Sequence, residues 1–384
     1  MAVTDPQVKY PEITDLRRAA KRRIPHFAWE YLDSAEGREM AMDRNSADLQ
    51  RVVMTPQFLK GPLDPDLSTT LFGVGYSMPV GMSPVGMSGL MWPGADEILA
   101  RTAAEVNIPW VASTVGTGLI EDTGPLADGR GWFQLYPPRE QYTRDDLLAR
   151  AEAAGFAALV VTADVPAKSR RARQLRARIT VPPQISPMLV AQAAIRPQWS
   201  LGVARHGIPR FKTLEKYIDR ATMKATAGFV GASLGGTFSW QYLAELRERW
   251  NGPLIVKGIL DADDAARCLD GGADGVAVSN HGGRQFDGAP SPITVLPAIA
   301  ERIAGRAPIL FDSGIRGGLD IARALALGAD FVFSGRSFMY GLGALGNSGP
   351  AHVASLFEQE LTTVLHQLGC ASIAELRERD ARFV

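Results

Sequence analysis

The sequence predicts an α/β protein with the (β/α)8 TIM-barrel fold. Short apolar runs rich in β-branched residues recur along its 384 residues, and most of them precede a turn and a stretch with apolar residues at helical spacing. The runs are apolar at successive rather than alternate positions, which is typical of parallel strands buried on both faces. Eight such units in one chain favour a closed barrel over an open doubly wound sheet, the competing architecture.

The predicted strands and helices follow one another along the chain. The strands are 78–83, 109–113, 132–136, 157–163, 254–257, 275–279, 309–312 and 331–334. The helix candidates are 95–106, 144–154, 240–250, 262–271, 293–303 and 319–327. Gly155, Gly271 and Gly328 stand at helix ends, where we expect the left-handed glycine conformation that terminates a helix.

Two regions fall outside this repeat. Residues 1–75 contain a predicted helix pair, 13–23 and 26–32, which we expect to cover one end of the barrel. The interval 165–235, after the fourth strand, is too long for an ordinary connection and combines many basic residues with apolar stretches. We interpret it as an insertion, either a lid or a surface-binding segment, within one catalytic domain that spans 1–384.

Composition excludes several classes of function. The chain has 41 basic and 41 acidic residues, so no net positive charge favours nucleic acid. Its two cysteines, Cys268 and Cys370, form neither a disulfide framework nor a CxxC metal site, which favours a cytoplasmic protein without a metal centre. The N-terminus lacks the apolar core of a signal peptide, and no apolar run reaches the roughly 18 residues that a membrane span needs.

Polar residues collect at the predicted carboxyl ends of the strands, where barrel enzymes have their active sites. Single residues of this kind often only cap turns, but their common position predicts one site. In chain order they are Ser83, Ser113, Gln134, Tyr136, Thr162, Asp164, Lys257, Ser279, His281, Asp312, Gly335 and Arg336.

The sequence SNHGGRQ, residues 279–285, is the most informative stretch. His281 follows a buried strand, two glycines allow close backbone approach to a ligand, and Arg284 stands three residues further on. An arginine can hold a carboxylate while an imidazole removes a proton, so the pair suits an anionic substrate. Asp164 is a candidate partner for the histidine; on local sequence alone, a turn aspartate before Pro166 is equally plausible.

Two glycine-rich stretches, DSGIRGG at 312–318 and SGRS at 334–337, follow the last two strands. The loops after strands seven and eight commonly bind phosphate in barrels, which predicts a phosphate-bearing cofactor. Neither a dinucleotide fingerprint nor a Walker sequence is present. Lys257 fits a cation beside an electron-rich cofactor, a Schiff-base amine, or an ordinary strand-end lysine.

Together these residues give a sequence that resembles the FMN-dependent 2-hydroxy-acid dehydrogenase and oxidase family. The resemblance extends from PHFAWEYL near residue 25 to HQLGC ending at 370, and SNHGGRQ with DSGIRGG is its most specific part. Within the family, the stretches 196–209 and 237–250 are most similar to mandelate dehydrogenases, and lactate dehydrogenases are also members.

The resemblance implies a role for each matching residue. His281 would be the catalytic base and Asp164 its paired carboxylate, whereas Tyr31, Tyr136, Arg171 and Arg284 would bind the substrate. Lys257 would lie near N1 of FMN and Ser279 on the same side. The backbone of Pro84, Val85 and Gly86 would approach N5. The residues implied at the ring are Ser113, Gln134 and Thr162, and those at the ribityl and phosphate groups are Asp312, Gly314, Arg316, Gly335 and Arg336.

This sequence departs from the family pattern at three places. Arg316 is followed by Gly317, where two consecutive basic residues are common. After Arg171 the chain reads Ala-Arg-Gln at 172–174 instead of an acidic pattern, and the stretch 33–39 is shorter than its family counterpart.

The implied activity is oxidation of an L-2-hydroxy acid, mandelate-like or lactate-like, to the 2-keto acid. The resemblance implies that dehydrogenases and monooxygenases often have glycine at the position of Gly86, where oxidases often have alanine. We favour electron transfer from FMN to a quinone or other carrier over an oxidase or monooxygenase that uses O2. A lysine-dependent lyase and a non-catalytic binding barrel are less favoured alternatives. The residues expected to form an apolar substrate pocket are Met82, Met87, Leu90 and Val115, together with residues of the segment 185–235.

The resemblance also bears on assembly and location. The basic, partly apolar segment 185–225 fits peripheral contact with the inner face of the cell membrane, and a soluble lid is the alternative. A homo-oligomer, a tetramer by family resemblance, is expected.

Overall fold

The computed structural model describes residues 5–178, 186–218, 223–234 and 238–384. Eight parallel strands close into a barrel in which each strand pairs with the next and the eighth pairs with the first. In chain order these are β1 (Val80–Met82), β2 (Trp110–Ser113), β3 (Gly131–Leu135), β4 (Leu159–Thr162), β5 (Leu254–Ile259), β6 (Gly275–Val278), β7 (Ile309–Phe311) and β8 (Phe331–Ser334). The predicted (β/α)8 fold is therefore confirmed.

Eight helices lie outside the barrel, one after each strand. They are α1 (Ala95–Val106), α2 (Ile120–Leu126), α3 (Gln141–Ala153), α4 (Trp240–Arg249), α5 (Ala262–Asp270), α6 (Pro292–Ile303), α7 (Gly318–Ala326) and α8 (Gly349–Leu368). Gly155 and Gly328 have the left-handed conformation predicted for them, with φ of +80° and +110°. The prediction for Gly271 is wrong: it is the C-cap residue of α5, with φ of −83°, and the left-handed residue is the next one, Gly272, with φ of +94°.

Large side chains fill the barrel interior. Trp132 packs against Phe333 with ring centroids 5.4 Å apart, and Phe331 lies at the same distance from Phe333. A hairpin of two short strands, Thr69–Leu71 and Val74–Tyr76, contributes Tyr76 to this cluster from the amino ends of the strands. With this end closed, the opposite end of the barrel is available for a site.

The N-terminal region contains the expected helix pair, Ile13–Arg23 and His26–Asp33, followed by Met40–Gln50. Ile13–Arg23 packs on an additional helix, Arg336–Leu345, which begins directly after β8. The remaining elements are the helices Pro6–Lys9, Ser88–Met91 and Ile373–Arg377, the 3-10 turns His281–Gly283 and Gly346–Ser348, and the antiparallel strands Val52–Met54 and Ala381–Phe383.

The predicted insertion lies between β4 and α4, and parts of it (179–185, 219–222 and 235–237) fall outside the described residues. Its described elements are Ala172–Arg176, Pro187–Ala194, Pro197–His206, the 3-10 helix Lys212–Tyr217 and Met223–Ser233. Trp199 anchors it, because its indole N–H donates to the carbonyl of Leu90 at 3.0 Å and its ring packs edge-on against Phe27. Within the described residues, no helix combines the length and apolar character needed to cross a membrane.

Candidate active site

The carboxyl ends of the strands surround a cavity of about 180 Å³. Ser83, predicted for the site from its place at a strand end, lines it. So do fifteen of the nineteen residues to which the family resemblance gives a role: Tyr31, Pro84, Val85, Gly86, Tyr136, Thr162, Arg171, Lys257, His281, Arg284, Asp312, Gly314, Arg316, Gly335 and Arg336. The other four, Ser113, Gln134, Asp164 and Ser279, lie behind the wall, and hydrogen bonds link each of them to a lining residue directly or through one neighbour.

His281 stands just beyond β6 in a left-handed conformation with φ of +59°, and its backbone N–H donates to Ser279 Oγ at 3.0 Å. The imidazole lies between two polar side chains. Its Nδ1 is 3.0 Å from Asp164 Oδ1, and its Nε2 is 3.4 Å from the hydroxyl of Tyr136. Because a carboxylate only accepts, Nδ1 carries the proton in the neutral ring, which leaves Nε2 as a proton acceptor at the cavity.

Burial sets the protonation state of this group. It lowers the pKa of His281 below its ordinary value of 6.5, Asp164 opposes the change, and the cations Lys257 and Arg171 add to it. The imidazole is therefore neutral near pH 7, as a general base must be. Burial and the charge of Asp164 raise the pKa of Tyr136, so its phenol keeps its proton and can donate.

Three guanidinium groups meet beside the histidine. Arg284 donates to the carbonyls of Tyr31 and Ser34 at 3.0 and 2.9 Å and lies over the Tyr31 ring. Arg336 also donates to the carbonyl of Ser34, and Arg171 to that of Arg284. Burial, together with the charges of Arg171 and Arg336, lowers the pKa of Arg284. Such a buried cluster of like charges favours an anionic ligand.

Lys257 forms an ion pair with Asp312, with Nζ 2.9 Å from Oδ2, and donates to Ser279 Oγ at 2.7 Å. Asp312 also accepts from Ser313 and Ser83. Burial acts to raise the pKa of Asp312, but the charge of Lys257 and these hydrogen bonds hold it below its usual value. The Nζ of Lys257 is therefore engaged by the carboxylate of Asp312 and the hydroxyl of Ser279, which argues against the Schiff-base alternative.

A chain of hydrogen bonds crosses the ends of β2, β3 and β4. Ser113 Oγ donates to Gln134 Oε1 at 2.9 Å, and Gln134 Nε2 donates to Thr162 Oγ1 at 2.8 Å. All three side chains are buried, and Thr162 reaches the cavity wall. The chain fixes the orientation of the glutamine amide and so provides polar atoms of defined position for the edge of a ring.

The ends of β7 and β8 bring Gly314, Arg316, Gly335 and Arg336 to one side of the cavity. Gly314 has φ of +98°, and a Cβ there would lie 2.7 Å from Leu49, so the turn requires glycine. The helix Arg336–Leu345 begins at the cavity. A helix N-terminus with two arginines is a suitable binding place for phosphate.

Gly317 stands where the family commonly has a second basic residue, and a carboxylate from α8 lies next to it. Glu360 Oε2 accepts from the backbone N–H of Gly318 at the start of α7, and a Cβ on Gly317 would lie 2.5 Å from that oxygen. The carboxylate therefore occupies the space next to Gly317. Because Glu360 caps α7, the helix that starts at Arg336 is the better candidate for the phosphate.

The apolar lining differs from the prediction. Val115 lines the cavity, but Met82, Met87 and Leu90 are buried in the core instead and do not. Met91 takes their place, at the end of the short helix Ser88–Met91. Sequence reasoning also missed Leu32, Ser313, Ile315 and Phe333. Ser313 and Ile315 lie in the glycine-rich stretch DSGIRGG already singled out, and this was the available signal for both.

The strand ends of this barrel combine a histidine–aspartate pair, an arginine cluster and a lysine–aspartate pair. This combination is typical of an enzyme that acts on an anionic substrate and binds a phosphate-bearing cofactor. A family model described as FMN-dependent dehydrogenase matches residues 20–382. The chain belongs to the FMN-dependent dehydrogenase family, and its cofactor is FMN.

Individual relatives agree with this assignment. The L-lactate dehydrogenase of Pectobacterium atrosepticum is 40% identical over 365 residues, 94% of each chain. That of Ectopseudomonas mendocina is 41% identical over 366 residues, covering 94% of this chain and 96% of the relative. Among solved structures, the monotopic membrane protein (S)-mandelate dehydrogenase has a TM-score of 0.89 at 36% identity and covers 95% of this chain and 97% of its own. A mandelate oxidase has a TM-score of 0.84 at 30% identity, with 97% and 99% covered.

The donor set at the strand ends fits FMN. Lys257 is a fixed cation, the chain from Ser113 to Thr162 offers oriented polar atoms, and Arg316 and Arg336 lie together where a phosphate is expected.

Proposed function

We propose that this protein oxidises an L-2-hydroxy acid to the 2-keto acid and that FMN passes the electrons to a quinone or another carrier. The contact of His281 with both Asp164 and Tyr136, beside three arginines, is the observation that supports this most directly. Bound FMN supplies the two-electron acceptor, and the remaining steps belong to the side chains.

Each side chain has a part in this proposal. Arg171, Arg284 and Tyr31 bind the substrate carboxylate, since they line the cavity beside the histidine. Tyr136 donates to the substrate hydroxyl, and His281 Nε2 removes a proton. Asp164 then stabilises the imidazolium that forms. Removal of the Cα proton and removal of the hydroxyl proton are both compatible with this geometry.

The same proposal assigns the FMN contacts. Lys257, with Ser279 behind it, would face the electron-rich edge of the ring, and Ser113, Gln134 and Thr162 would hydrogen-bond its polar edge. The backbone of 84–86 would lie near the reactive nitrogen. The residues assigned to the ribityl and phosphate groups are Asp312, Gly314, Arg316, Gly335 and Arg336.

The substrate class rests on the relatives and on the lining. Lactate and mandelate dehydrogenases are both similar to this chain. Met91, Val115 and Phe333 give the cavity apolar wall, which suits the side chain of mandelate or another apolar 2-hydroxy acid.

An anaerobic reduction experiment tests the function. We would record the visible spectrum of the FMN-loaded protein and then add L-mandelate or L-lactate without oxygen. Bleaching of the flavin bands by either acid is expected, and the faster acid identifies the preferred substrate. Failure of 2-hydroxy acids of any size to bleach the flavin would refute the proposal.

The electron acceptor is tested by admitting air afterwards. We propose a carrier rather than O2, and slow reoxidation over many turnover times is the expected result. The oxidase is the second candidate because a mandelate oxidase structure is similar to this chain. Gly86 is the residue whose type the family resemblance links to the choice of electron acceptor. A methyl group there would lie 2.8 Å from the side chain of Val115 and 3.6 Å from the Tyr31 hydroxyl, so glycine leaves a space between these groups that alanine would fill. Fast reoxidation in air would favour the oxidase.

We also propose that the insertion makes peripheral contact with the inner face of the cell membrane. On the helices Pro187–Ala194 and Pro197–His206, and between them, Met188, Ile195 and Leu201 are 57%, 64% and 70% exposed. Exposed apolar residues with arginines nearby suit the interface of an anionic bilayer, where a quinone would be available. The similar (S)-mandelate dehydrogenase is described as monotopic. We further propose that the protein is a homo-oligomer, a tetramer as in the family that it resembles. Light scattering on the purified protein would measure its number of subunits.

A further inference from the structure

Two of the stretches that depart from the family pattern, 33–39 and 172–174, contact each other. The guanidinium of Arg173 reaches three carboxylates: Glu30 Oε2 at 2.5 Å, Asp33 Oδ2 at 3.1 Å and Glu39 Oε2 at 3.2 Å. Gln174 adds a hydrogen bond from its amide to Ser34 Oγ at 3.0 Å. The beginning of the insertion is therefore bound to the N-terminal region by side chains.

The ion-pair cluster of Arg173 with Glu30, Asp33 and Glu39 is more deeply buried than an exposed surface ion pair. The side chain of Arg173 is 26% exposed, and those of Glu30, Asp33 and Glu39 are 11%, 3% and 19% exposed. Exposed pairs contribute little, but partly buried, charge-assisted hydrogen bonds to several carboxylates are stronger, and loss of one partner leaves charges uncompensated. Burial acts to lower the pKa of Arg173, but the three carboxylates raise it, so the arginine stays charged.

Both sides of the cluster continue into the cavity wall. Arg173 stands two residues after Arg171, which lines the cavity. Glu30 and Asp33 flank Tyr31, another lining residue, whose carbonyl accepts from Arg284. A movement of 172–176 away from the helix His26–Asp33 would therefore displace the groups that we assign to the substrate carboxylate.

We propose that Arg173 is a positioning residue, whose ion pairs with Glu30, Asp33 and Glu39 hold Arg171 and Tyr31 in place for the carboxylate of the substrate. The inference rests on the proposed function and deepens it. Arg173 itself does not line the cavity, so its effect acts through its neighbours and falls on substrate affinity more than on the chemical step.

A matched pair of variants tests the proposal. Arg17 also binds Asp33, with contacts of 2.7 and 2.9 Å, but it lies on the helix Ile13–Arg23 and does not line the cavity. Both Arg173→Gln and Arg17→Gln remove an arginine from Asp33, and only the first releases the segment that contains Arg171.

In the FMN-loaded enzyme, Arg173→Gln is expected to raise KM for the 2-hydroxy acid about 10- to 100-fold, the range for misplaced binding groups, and to change kcat less than threefold. Binding of oxalate, an unreactive dianion, followed by the change in flavin absorbance, should weaken by a similar factor. Arg17→Gln should leave both quantities within about twofold of wild type, even where its Tm falls.

Conservative variants keep the test decisive where Arg173→Gln does not fold. Arg173→Lys retains the charge but replaces the five-donor guanidinium by a compact ammonium with three donors, and Glu39→Gln removes the charge of one carboxylate, so both should raise KM to intermediate values. Unchanged KM and oxalate affinity in Arg173→Gln, or in both conservative variants, would overturn the proposal, as would an equal rise of KM in Arg17→Gln. Failure of the proposed function is a different result: the wild-type flavin would not be reduced at all.

Discussion

The backbone at His281 explains how one residue reaches two partners. Three consecutive residues, His281, Gly282 and Gly283, have positive φ, and this turn directs the imidazole back between Asp164 and Tyr136. Non-glycine residues rarely adopt this conformation, which costs about 1–3 kcal/mol. Gly283 is required by contact, since a Cβ there would lie 2.6 Å from the backbone of Met42.

Replacement of His281 tests its role directly. His281→Ala should lower kcat about 10²- to 10⁴-fold, the usual loss when a general base is removed, while FMN stays bound because the proposed cofactor contacts are untouched. His366→Ala, at an exposed position on α8, is the matched control and should turn over like wild type. The measurement is steady-state turnover with the preferred acid, together with the flavin content of each variant. Near wild-type turnover of His281→Ala would contradict the assignment.

The pH profile follows from the lowered pKa of His281. Only the neutral imidazole accepts a proton, so kcat/KM should rise with pH along a limb whose midpoint lies below the ordinary value of 6.5. Asp164→Asn removes the charge that favours the imidazolium, so the rising limb should move to still lower pH. The plateau should also fall about 10- to 10⁴-fold, because the imidazole loses its orientation. A limb that moved to higher pH in the variant would show that another group titrates.

For single residues, the sequence predicted which side chains belong to the site better than it predicted which side chains contact each other. SNHGGRQ predicted His281 and Arg284 because a histidine and an arginine after a buried strand have few structural explanations. Asp164 was ambiguous, since a turn aspartate before proline looks the same locally, and the 3.0 Å contact was needed to pair it with His281. Met91 was missed because the short helix Ser88–Met91 leaves no periodic signal.

At the level of secondary-structure elements, the apolar runs predicted which segments form strands more accurately than they predicted the first and last residue of each strand. The run 157–163 contains β4, which is only Leu159–Thr162. α2 (Ile120–Leu126) was not predicted, because Gly124 and Pro125 lie inside it and both disfavour a helix interior. Its Gly124 is explained by packing, because a Cβ there would lie 2.3 Å from the carbonyl oxygen of Ala154. Tertiary contact overrides local propensity in this helix.

The outer face of the insertion yields a prediction at the same scale. Trp199 fixes one side of the helix pair to the barrel, so Ile195 and Leu201 remain exposed on the other side. The double variant Ile195→Asp/Leu201→Asp should reduce sedimentation with vesicles containing anionic phospholipid by about 10-fold or more, because two apolar side chains leave the bilayer interface. Leu59→Asp, also at a fully exposed leucine, is the control and should sediment like wild type. Equal binding of all three proteins would exclude this surface.

For the whole molecule, closure of the barrel brings together residues that are far apart in the chain. Ser113 and Arg336 are separated by more than half of the sequence, yet both belong to the proposed FMN site, because parallel strands present their carboxyl ends at one face. The repeat therefore predicted where the site lies. It could not predict that Glu360 would cap α7 beside Gly317, since this contact joins the seventh and eighth helices and has no local signature.

Because the proposed FMN contacts come from nearly every strand, bound FMN should stabilise the barrel as a unit. At a free concentration 100 times its Kd, a ligand of the native state adds about 2.7 kcal/mol to the free energy of unfolding, so the Tm of the wild type should rise by several degrees over the apoprotein. Arg316→Ala should melt close to wild type without FMN, because its contacts with the described residues are weak: a hydrogen bond to the neighbouring carbonyl of Ile315 and a cation–π contact with the Tyr340 ring. The variant should show a smaller rise at the same FMN concentration. Arg306→Ala, which removes a half-exposed arginine paired with Asp270, is the control and should show the full rise. An FMN-induced shift of equal size in Arg316→Ala and wild type would place the phosphate elsewhere.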